Sequence, residues 1–434
     1  MLKSIRVLLL LCVIIIALIG INARAASPVI VVLDAKGVIN PILAEYISQG
    51  IETAEERNAT ACIIQMDTPG GLDTAMRDII KDIVNARVPV VVYVSPSGAR
   101  AASAGVYITM AAHVAVMAPN TNIGAASPVA IGPEGEEQMS ETMKDKVLND
   151  ASAYIRSIAE AHGRNMEWAE QAVREAVSAT EQEALELNVI DMITPDLSTL
   201  ISQLNGYEVT LLGGSEVTLD TQGVSIEHIE MTWMEEFLYA ISDPNIAFLL
   251  LSLASLGLFV EISNPGLIFP GVVGAICAIL AFYSLGQLPV NIAGLLLIVL
   301  AFGLFIGEVF TTTFGLFTAG GVVSLVLGSL ILFKGGPLFQ INPWLITTIT
   351  IIITAILGLV INQVIKVYRK QATTGREELK GKPALVKVAL DPVGMVLFKG
   401  ERWTAESTSG RIEPEESVII DKVDSLKLYV SKKE

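Results

Sequence analysis

Short apolar runs alternate with amphipathic segments between residues 28 and 194. Four runs are rich in β-branched residues, as expected for buried strands: 29–33, 62–66, 88–94 and 114–117. The intervening segments predict helices, most of them amphipathic, at 41–57, 72–86, 101–111, 141–162, 167–176 and 181–187. Strand–helix–strand order with short connections predicts an α/β domain on a parallel sheet with right-handed crossovers.

Longer apolar runs follow at 246–260, 267–285, 292–306, 316–333 and 344–367. With 52% apolar and 17% charged residues, the chain is too apolar for a soluble protein, so we expect these runs to cross a membrane. We predict five spans. Some runs are shorter than the roughly 20 residues of a full span, so four or six are also compatible. Lys366, Arg369 and Lys370 cluster at the end of the last run and predict that this end is cytoplasmic.

The first 25 residues have the three parts of a secretory signal peptide. Lys3 and Arg6 precede an apolar core at 8–21, and an Ala-x-Ala cleavage pattern follows at 23–25. An uncleaved N-terminal anchor is the alternative, and in both cases the next domain is translocated. An odd number of spans agrees with an extracytoplasmic N-terminal domain and a cytoplasmic C-terminus.

The segment 376–434 is rich in strand patterns. Strands are predicted at 384–390, 395–399, 402–406, 417–420 and 426–430. Five strands in so short a segment suit a closed barrel of the OB type. OB folds often bind oligonucleotides, but basic and acidic residues are equal in number here, and the whole chain has a net charge of −16. We therefore expect a protein partner and no nucleic acid.

Two segments lie between the α/β domain and the apolar runs. Residues 208–224 predict a β-hairpin around Gly213 and Gly214. Residues 226–241 contain Trp233 and Phe237 and predict either an interfacial helix or an ordinary linker. The predicted domains are a signal peptide at 1–25, the α/β domain at 26–222, a juxtamembrane linker at 223–244, the membrane domain at 245–368 and the barrel at 376–434.

The sequence offers little for metal or disulfide chemistry. The cysteines lie in the leader, in a predicted strand and in an apolar run: Cys12, Cys62 and Cys277. This pattern forms neither a disulfide framework nor a metal-ligand spacing, and we expect no cofactor. Glu261, Asn264 and Glu308 are polar positions at the edges of apolar runs. A carboxylate near a bilayer is a functional candidate, although one at an edge is more often simply solvated.

Ser103 lies among small residues, in a loop that follows the strand pattern at 88–94. A second loop, 67–71, contains Gly70 and Gly71 and follows the strand pattern at 62–66. Because ligands of parallel sheets bind beyond the carboxyl ends of the strands, these loops can be neighbours. Ser103 is then a candidate nucleophile, and the N–H groups of Ala104 and of Gly70 or Gly71 are candidate donors to an oxyanion.

A serine hydroxyl needs a base that takes its proton. None of the three histidines is well placed for this in the predicted fold: His113, His162 and His228. Lys144 and Lys146, on the helix at 141–162, are the alternatives, and periodicity does not choose between them. A lysine base must be neutral, so a pKa of about 10.4 has to fall by roughly 2–3 units, which burial in an apolar pocket can cause.

The motifs Asp-Thr-Pro-Gly-Gly at 67–71 and Arg-Ala-Ala-Ser-Ala-Gly at 100–105 resemble those of the ClpP/crotonase superfamily. With the signal peptide, the membrane block and Gly-Glu-Arg-Trp-Thr-Ala at 400–405 in the barrel, the chain resembles full-length NfeD proteins, the membrane-bound ClpP-class serine proteases. The resemblance covers nearly the whole chain. It implies a ClpP/crotonase-like fold for the α/β domain.

The same resemblance implies roles for individual residues. It puts the nucleophile on Ser103 and the oxyanion glycine on Gly70 or Gly71. The family's lysine stands in a Lys-Val-x-Asn-Asp pattern, which this chain matches at 146–150, and this favours Lys146. ClpP itself uses a histidine downstream of its serine.

The corresponding stretch of this chain, 126–128, has no histidine, which agrees with a Ser–Lys dyad. Many relatives have a histidine where this chain has Ser127. The resemblance also implies a stomatin- or prohibitin-like membrane partner that is cleaved in an apolar segment.

Three functions are compatible with these patterns. The first is a membrane-anchored Ser–Lys endopeptidase that acts on hydrophobic peptide segments, in contact with membrane lipid and assembled as a homo-oligomer. The second is a membrane organiser without catalysis, which uses the α/β body and the barrel as docking surfaces. The third, acyl-CoA chemistry of the crotonase type, fits poorly because a translocated domain would not meet CoA.

Overall fold

The computed structural model describes residues 28–128, 141–263, 266–311, 315–334, 336–369 and 379–433. These form two compact units, one from the described residues up to Phe302 with Gly321–Thr350, the other from Gly303–Gly320 and the chain from Ile351 onward. The predicted signal peptide at 1–25, Asn264 and Lys370 lie outside the described residues.

The N-terminal domain is built on a six-stranded parallel sheet. In spatial order its strands are β11 Ser225–Ile229, β1 Val29–Lys36, β2 Ala61–Asp67, β3 Val90–Val94, β5 Val114–Met117 and β8 Met192–Ile193. Alternate residues of β1 belong to different cores, Leu33 to one and Val32 to the other. A sheet covered on both faces explains why its strands are continuous apolar runs rather than alternating ones.

Helices cover both faces of this sheet. They are α1 Pro41–Glu56, α2 Asp73–Asn85, α3 Ala104–Ala111, α4 Glu141–Ala161, α5 Met166–Arg174, α6 Glu181–Glu186 and α7 Leu197–Gln203. Side chains cap several of them: Asn40 accepts a hydrogen bond from the Leu43 N–H at the start of α1, and Thr180 forms a capping box with Glu183 at the start of α6.

Two predictions for this domain need correction. The predicted helix at 101–111 begins only at Ala104, because residues 100–102 form strand β4 Arg100–Ala102. β4 pairs with β6 Asn122–Gly124, which pairs with β7 Ser178–Thr180 in a second, three-stranded sheet. The predicted linker at 223–244 contains β11, which adds to the main sheet beside β1 and therefore extends the domain beyond residue 222.

The segments around that linker have regular structure. The predicted hairpin at 208–224 is present, as the antiparallel strands β9 Glu208–Thr210 and β10 Glu216–Thr218. After β11 comes helix α8 Trp233–Ile241, which a capping box of Thr232 and Glu235 starts. Only part of the predicted linker is thus connecting chain.

Each predicted apolar run forms a helix: α9 Pro244–Ser263, α10 Ile268–Gln287, α11 Ile292–Phe310, α12 Leu316–Leu330 and α13 Pro343–Arg369. Among the described residues, three of these, α9 to α11, are long and apolar enough to cross a membrane, and the apolar parts of the other two are shorter. The number of spans stays a prediction. Gly257 and Gly274 let α9 and α10 approach closely, since a Cβ at Gly257 would lie 2.8 Å from the Gly274 Cα.

The C-terminal segment is a closed five-stranded barrel, as predicted. Its strands are β12 Pro383–Val388, β13 Val393–Phe398, β14 Glu401–Ser407, β15 Ser417–Asp424 and β16 Lys427–Lys432, in the spatial order β12-β13-β14-β16-β15. Apolar residues such as Val386, Val396 and Val430 fill its interior. The expected three-part fold class is therefore confirmed.

Candidate active site

The structure brings the two small-residue loops together at the carboxyl edge of the main sheet. Thr68 and Ala101 form a parallel bridge, in which the Thr68 N–H donates to the Arg100 carbonyl at 2.8 Å and the Ala102 N–H donates to the Thr68 carbonyl at 3.1 Å. The loops at 67–71 and 98–105 are therefore neighbours, as their positions after adjacent strands predicted.

Ser103 lies at the sharp junction between β4 and α3. Its φ of 53° and ψ of −114° are unusual for a residue with a side chain, and its N–H donates to the Gly124 carbonyl at 3.1 Å. The hydroxyl makes no capping bond to α3, and no described residue hydrogen-bonds to it. A strained backbone thus presents a half-buried hydroxyl with no competing partner, which is a common arrangement for a nucleophile.

Gly70 is packed directly against this serine. A Cβ at Gly70 would lie 2.7 Å from the Ser103 Cβ and 3.1 Å from its Oγ, and Gly70 has a φ of +120°. The position therefore requires glycine both for space and for backbone conformation. The Gly70 N–H donates to the Thr68 hydroxyl at 3.0 Å, so it is already engaged and does not point to an oxyanion.

Of the two glycine N–H groups, that of Gly71 is the one without an acceptor among the described residues. The Ile39 N–H donates to the Gly70 carbonyl at 2.9 Å, and in the trans peptide that joins Gly70 to Gly71 the N–H points away from that carbonyl. Neither the Gly71 N–H nor the Ala104 N–H, the first of α3, has an acceptor among the described residues. Within the described part of the chain, two backbone N–H groups are therefore free of acceptors, that of Ala104 directly after Ser103 and that of Gly71 directly after the glycine packed on Ser103.

Lys146 belongs to the first turns of α4 and is exposed. Two hydrogen bonds hold α4 against its neighbours just after Lys146. The Asp150 carboxylate accepts from Arg77 of α2 at 2.6 Å, and Asn149 accepts from Arg174 of α5 at 2.8 Å. Lys146 precedes Asp150 by one helical turn and lies on the same side of α4.

The shielded environment expected for a lysine base is not found at Lys146. Its side chain is exposed, and it has no hydrogen bond or ion pair to another described residue. Lys144 is exposed as well, so burial does not distinguish the two lysines. Both lysines are exposed because they lie in the turns of α4 that precede its contacts with α2 and α5.

Arg77 is a site neighbour that the sequence pattern did not single out. It also bonds Asp73 at 2.9 Å, at the start of α2 and directly beyond the glycine motif, and its guanidinium lies 4.3 Å from the ring centre of Tyr154. Tyr154 stacks on Tyr107 of α3, and burial raises the pKa of both phenols. Arg77 therefore ties α4 to the helix that begins after Gly71.

The histidines have other roles, as the sequence indicated. The His113 Nδ1 accepts a hydrogen bond from the Val90 N–H at 3.2 Å, and its ring packs edge-on against His162 at 6.0 Å. Burial first, and the charge of Arg164 second, lower the pKa of each to about 4. His228 lies on β11, paired with Val32.

The structure also shows the contacts of Ser127 and of the two carboxylates at the edges of apolar helices. The Ser127 hydroxyl donates to the Val173 carbonyl of α5 at 2.6 Å. The Glu308 carboxylate, which is buried, accepts from the N–H groups of Gly315 and Thr318 at 2.8 and 3.0 Å and so caps α12. Glu261 packs against Gly271, and its Oε2 has no hydrogen-bond partner among the described residues.

Known families match three parts of the chain. Residues 29–200 match the NfeD1b N-terminal domain, residues 245–363 the NfeD integral membrane domain, and residues 376–432 the NfeD-like C-terminal, partner-binding domain. These matches follow the order of the α/β domain, the apolar helices and the barrel. They define a membrane protein with the domain organisation of NfeD proteins.

Individual relatives extend over the same length. The membrane-bound protease PH1510 of Pyrococcus horikoshii is 36% identical over 416 residues, which cover 93% of each chain. The membrane protein NfeD1b of Bacillus subtilis is 25% identical over an alignment 455 positions long, which covers 97% of each chain. The chain therefore belongs to the NfeD family.

Among solved structures, a mutant of the 1510-N membrane-bound stomatin-specific protease in complex with a substrate peptide is 34% identical. The match covers 50% of this chain and 98% of that one, with a TM-score of 0.46.

Proposed function

We propose that this protein is a membrane-anchored serine endopeptidase with Ser103 as nucleophile and Lys146 as base. The observation that carries the proposal is the strained Ser103, whose hydroxyl lies beside the glycine motif and two available N–H groups. Its relative PH1510, which matches over nearly its whole length, is a membrane-bound protease.

In the proposed reaction, neutral Lys146 takes the proton of the Ser103 hydroxyl while Oγ attacks the scissile carbonyl. The N–H groups of Gly71 and Ala104 hold the resulting oxyanion. The lysine ammonium then gives its proton to the leaving amine, and the peptide bond breaks to leave an acyl-enzyme. The same amine then takes a proton from water, the resulting hydroxide attacks the ester, and the ammonium gives the proton to the Ser103 Oγ as the acid product leaves.

The exposure of Lys146 makes this mechanism dependent on substrate. A lysine acts as a base only through its neutral amine, and exclusion of water favours that form over the charged one. A peptide that lies across Ser103 and the start of α4 would exclude water from the amine and favour its neutral form. Apolar segments do this best, which supports hydrophobic peptides as the substrate class.

Membrane-associated proteins are the proposed source of these peptides. Helix α8 follows the last strand of the α/β sheet and leads directly into α9, and the Ser284 hydroxyl of α10 donates to the Ile241 carbonyl at its end. The α/β domain is thus attached next to apolar helices. The 1510-N protease is stomatin-specific, and we propose a stomatin- or prohibitin-like protein as the partner here.

The remaining expectations belong to the same proposal. The α/β domain is extracytoplasmic and the barrel is cytoplasmic, in keeping with a translocated N-terminus. The protein acts as a homo-oligomer, a dimer or higher.

The test is cleavage of a peptide from the apolar segment of a stomatin homologue by the full-length protein in detergent. Ser103→Ala and Lys146→Ala should each lower kcat/KM by at least about 10³-fold, whereas Lys144→Ala, the matched control on the same helix, stays near the parent value. A fluorophosphonate should label the parent and not Ser103→Ala. Parent-like cleavage by Ser103→Ala contradicts catalysis, and loss in Lys144→Ala alone assigns the base to Lys144.

A membrane organiser without catalysis is the second candidate. It is favoured by the exposure of Lys146 and by the match of residues 376–432 to a partner-binding domain. In that case Ser103→Ala leaves cellular function unchanged, while deletion of 376–434 removes it. The protease proposal requires the first variant to be inactive.

A further inference from the structure

The short connection from β1 to α1 lies between the membrane-proximal helix and the glycine motif. The Tyr239 hydroxyl of α8 is within hydrogen-bond distance of two carbonyls of this connection, 3.1 Å from that of Lys36 and 3.2 Å from that of Val38. A phenol has one proton, so the two carbonyls share it as acceptors. The ring packs against the core of the α/β domain.

Gly37 makes this close approach possible. A Cβ at Gly37 would lie 2.3 Å from the Tyr239 hydroxyl oxygen, and Gly37 has a φ of +94°, so only glycine fits without displacement of the tyrosine. On its other side the Gly37 N–H donates to the Asp67 carbonyl at 2.9 Å. The connection is therefore held from α8 and from the end of β2.

Ile39 carries this contact to the proposed oxyanion site. It is fully buried, its N–H donates to the Gly70 carbonyl at 2.9 Å, and its carbonyl accepts from the Leu72 N–H at 2.8 Å. These two bonds flank Gly71. The bond to the Gly70 carbonyl orients the peptide group between Gly70 and Gly71, which also contains the Gly71 N–H. Any displacement of Ile39 rotates that donor relative to Ser103.

We infer that Tyr239 is a positioning residue for the oxyanion donor, which couples the membrane-proximal helix to the proposed active site through Gly37 and Ile39. The inference rests on the proposed protease function. The end of α8 is bonded to α10 through Ser284 and continues into α9. A change in the packing of the apolar helices thus changes the orientation of the Gly71 N–H, and the Tyr239 hydroxyl links the two.

The test uses Tyr239→Phe in the full-length protein, which removes the hydroxyl and keeps the ring. The matched control is Tyr46→Phe. The Tyr46 hydroxyl also joins backbone groups, since it accepts from the Asp34 N–H and donates to the Ile229 carbonyl, but it has no bond to residues 36–39. The Tyr46 hydroxyl is buried and Tyr239 is half-buried, and each hydroxyl bonds two backbone groups, so the loss of thermal stability in Tyr239→Phe should not exceed that in Tyr46→Phe.

Tyr239→Phe should lower kcat about tenfold or more with little change in KM, because an oxyanion donor acts mainly in the transition state. Affinity for a peptide aldehyde, whose adduct with Ser103 has an oxyanion, should fall by the same factor. Tyr46→Phe should retain both values. Gly37→Ala should be damaging in the parent and less so in the Tyr239→Phe background, where the colliding oxygen is gone.

A parent-like kcat and aldehyde affinity in Tyr239→Phe overturns the inference, as does an equal loss in Tyr46→Phe. These outcomes are separate from failure of the proposed function. If Ser103→Ala still cleaves the peptide, the protease proposal fails and the inference fails with it. If Ser103→Ala is inactive and Tyr239→Phe is unimpaired, only the inference fails.

Discussion

Gly70 offers a direct test of the geometry around the serine. In Gly70→Ala, the new Cβ would lie 2.7 Å from the Ser103 Cβ. Carbon atoms in contact are normally about 3.5–4.0 Å apart, so Ser103 or the glycine loop must move by roughly 1 Å. A misplacement of about that size can cost on the order of 10²-fold in rate, and this is the loss of kcat that we expect.

The substitution also strains the backbone. At φ +120° an alanine is disfavoured, by about 1–3 kcal/mol for a residue held in a sparsely populated region. Strain alone could destabilise the domain and lower activity indirectly. A control must therefore have the strain without the contact.

Gly213→Ala is that control. Gly213 has a φ of +90°, it is exposed in the β9–β10 hairpin, and a Cβ there meets no atom within 4 Å. It should lose a similar amount of stability and keep the parent kcat. The two variants separate backbone strain from displacement of Ser103.

The assay combines peptide cleavage, the rate of fluorophosphonate labelling and the urea midpoint of the full-length protein. Gly70→Ala should be slow in cleavage and in labelling even at urea concentrations far below its midpoint. Parent-like labelling by Gly70→Ala would mean that the close contact with Ser103 is wrong. An equal kinetic loss in Gly213→Ala would mean that strain, not position, explains the defect.

Two further predictions concern protonation and helix capping. In the folded protein the pKa values of His113 and His162 are lowered to about 4, so between pH 6.5 and 4 each histidine binds fewer protons than it does in the unfolded chain. Their contribution to the free energy of unfolding is therefore complete above pH 6.5 and is lost as the pH falls, by up to about 3 kcal/mol each. Hydrogen exchange of residues 104–117 should therefore show easier opening at pH 5 than at pH 7.5, and equal opening would contradict this. Glu308→Ala removes the acceptor for the Gly315 and Thr318 N–H groups and should destabilise α12 by about 2–4 kcal/mol, with Glu308→Gln losing less. Thermal unfolding in detergent measures this difference, and equal losses in the two variants would mean that the acceptor oxygen, which glutamine keeps, does not hold these N–H groups.

Local patterns were sufficient where one periodicity determined the element. The run at 114–117 is a strand because four consecutive apolar residues between turns fit a buried strand, and β5 has those bounds. The barrel strands followed from short alternating segments between turns. In both cases the signal lies within the residues that form the element.

The strand β4 could not be predicted in this way. Residues 101 and 102 are alanines, small and apolar like the helix after them, so propensity does not separate the two. They become a strand because Thr68 and β6 pair with them from distant parts of the sequence. β11 was missed for the same reason, since only its pairing with β1 makes it part of the sheet.

The choice between Gly70 and Gly71 shows the same limit at the level of a single peptide group. The sequence identifies the glycine pair, but which N–H is available depends on the direction of one peptide plane. Ile39, which is far away in sequence, sets that direction by its bond to the Gly70 carbonyl. No pattern within 67–71 contains that information.

Lys146 is the residue where motif and structure diverge most. The pattern at 146–150 has two physical parts, because Asn149 and Asp150 bond α4 to its neighbours while Lys146 precedes them by about one turn and is exposed. Under the protease proposal, the oxyanion side of the site is formed from backbone groups, whereas the base side is exposed. A serine nucleophile needs a base, and the proposal has a peptide chain cover the exposed amine and so complete the site. Under the protease proposal, selectivity for hydrophobic segments then follows from the chemistry of the base itself rather than from a separate binding pocket.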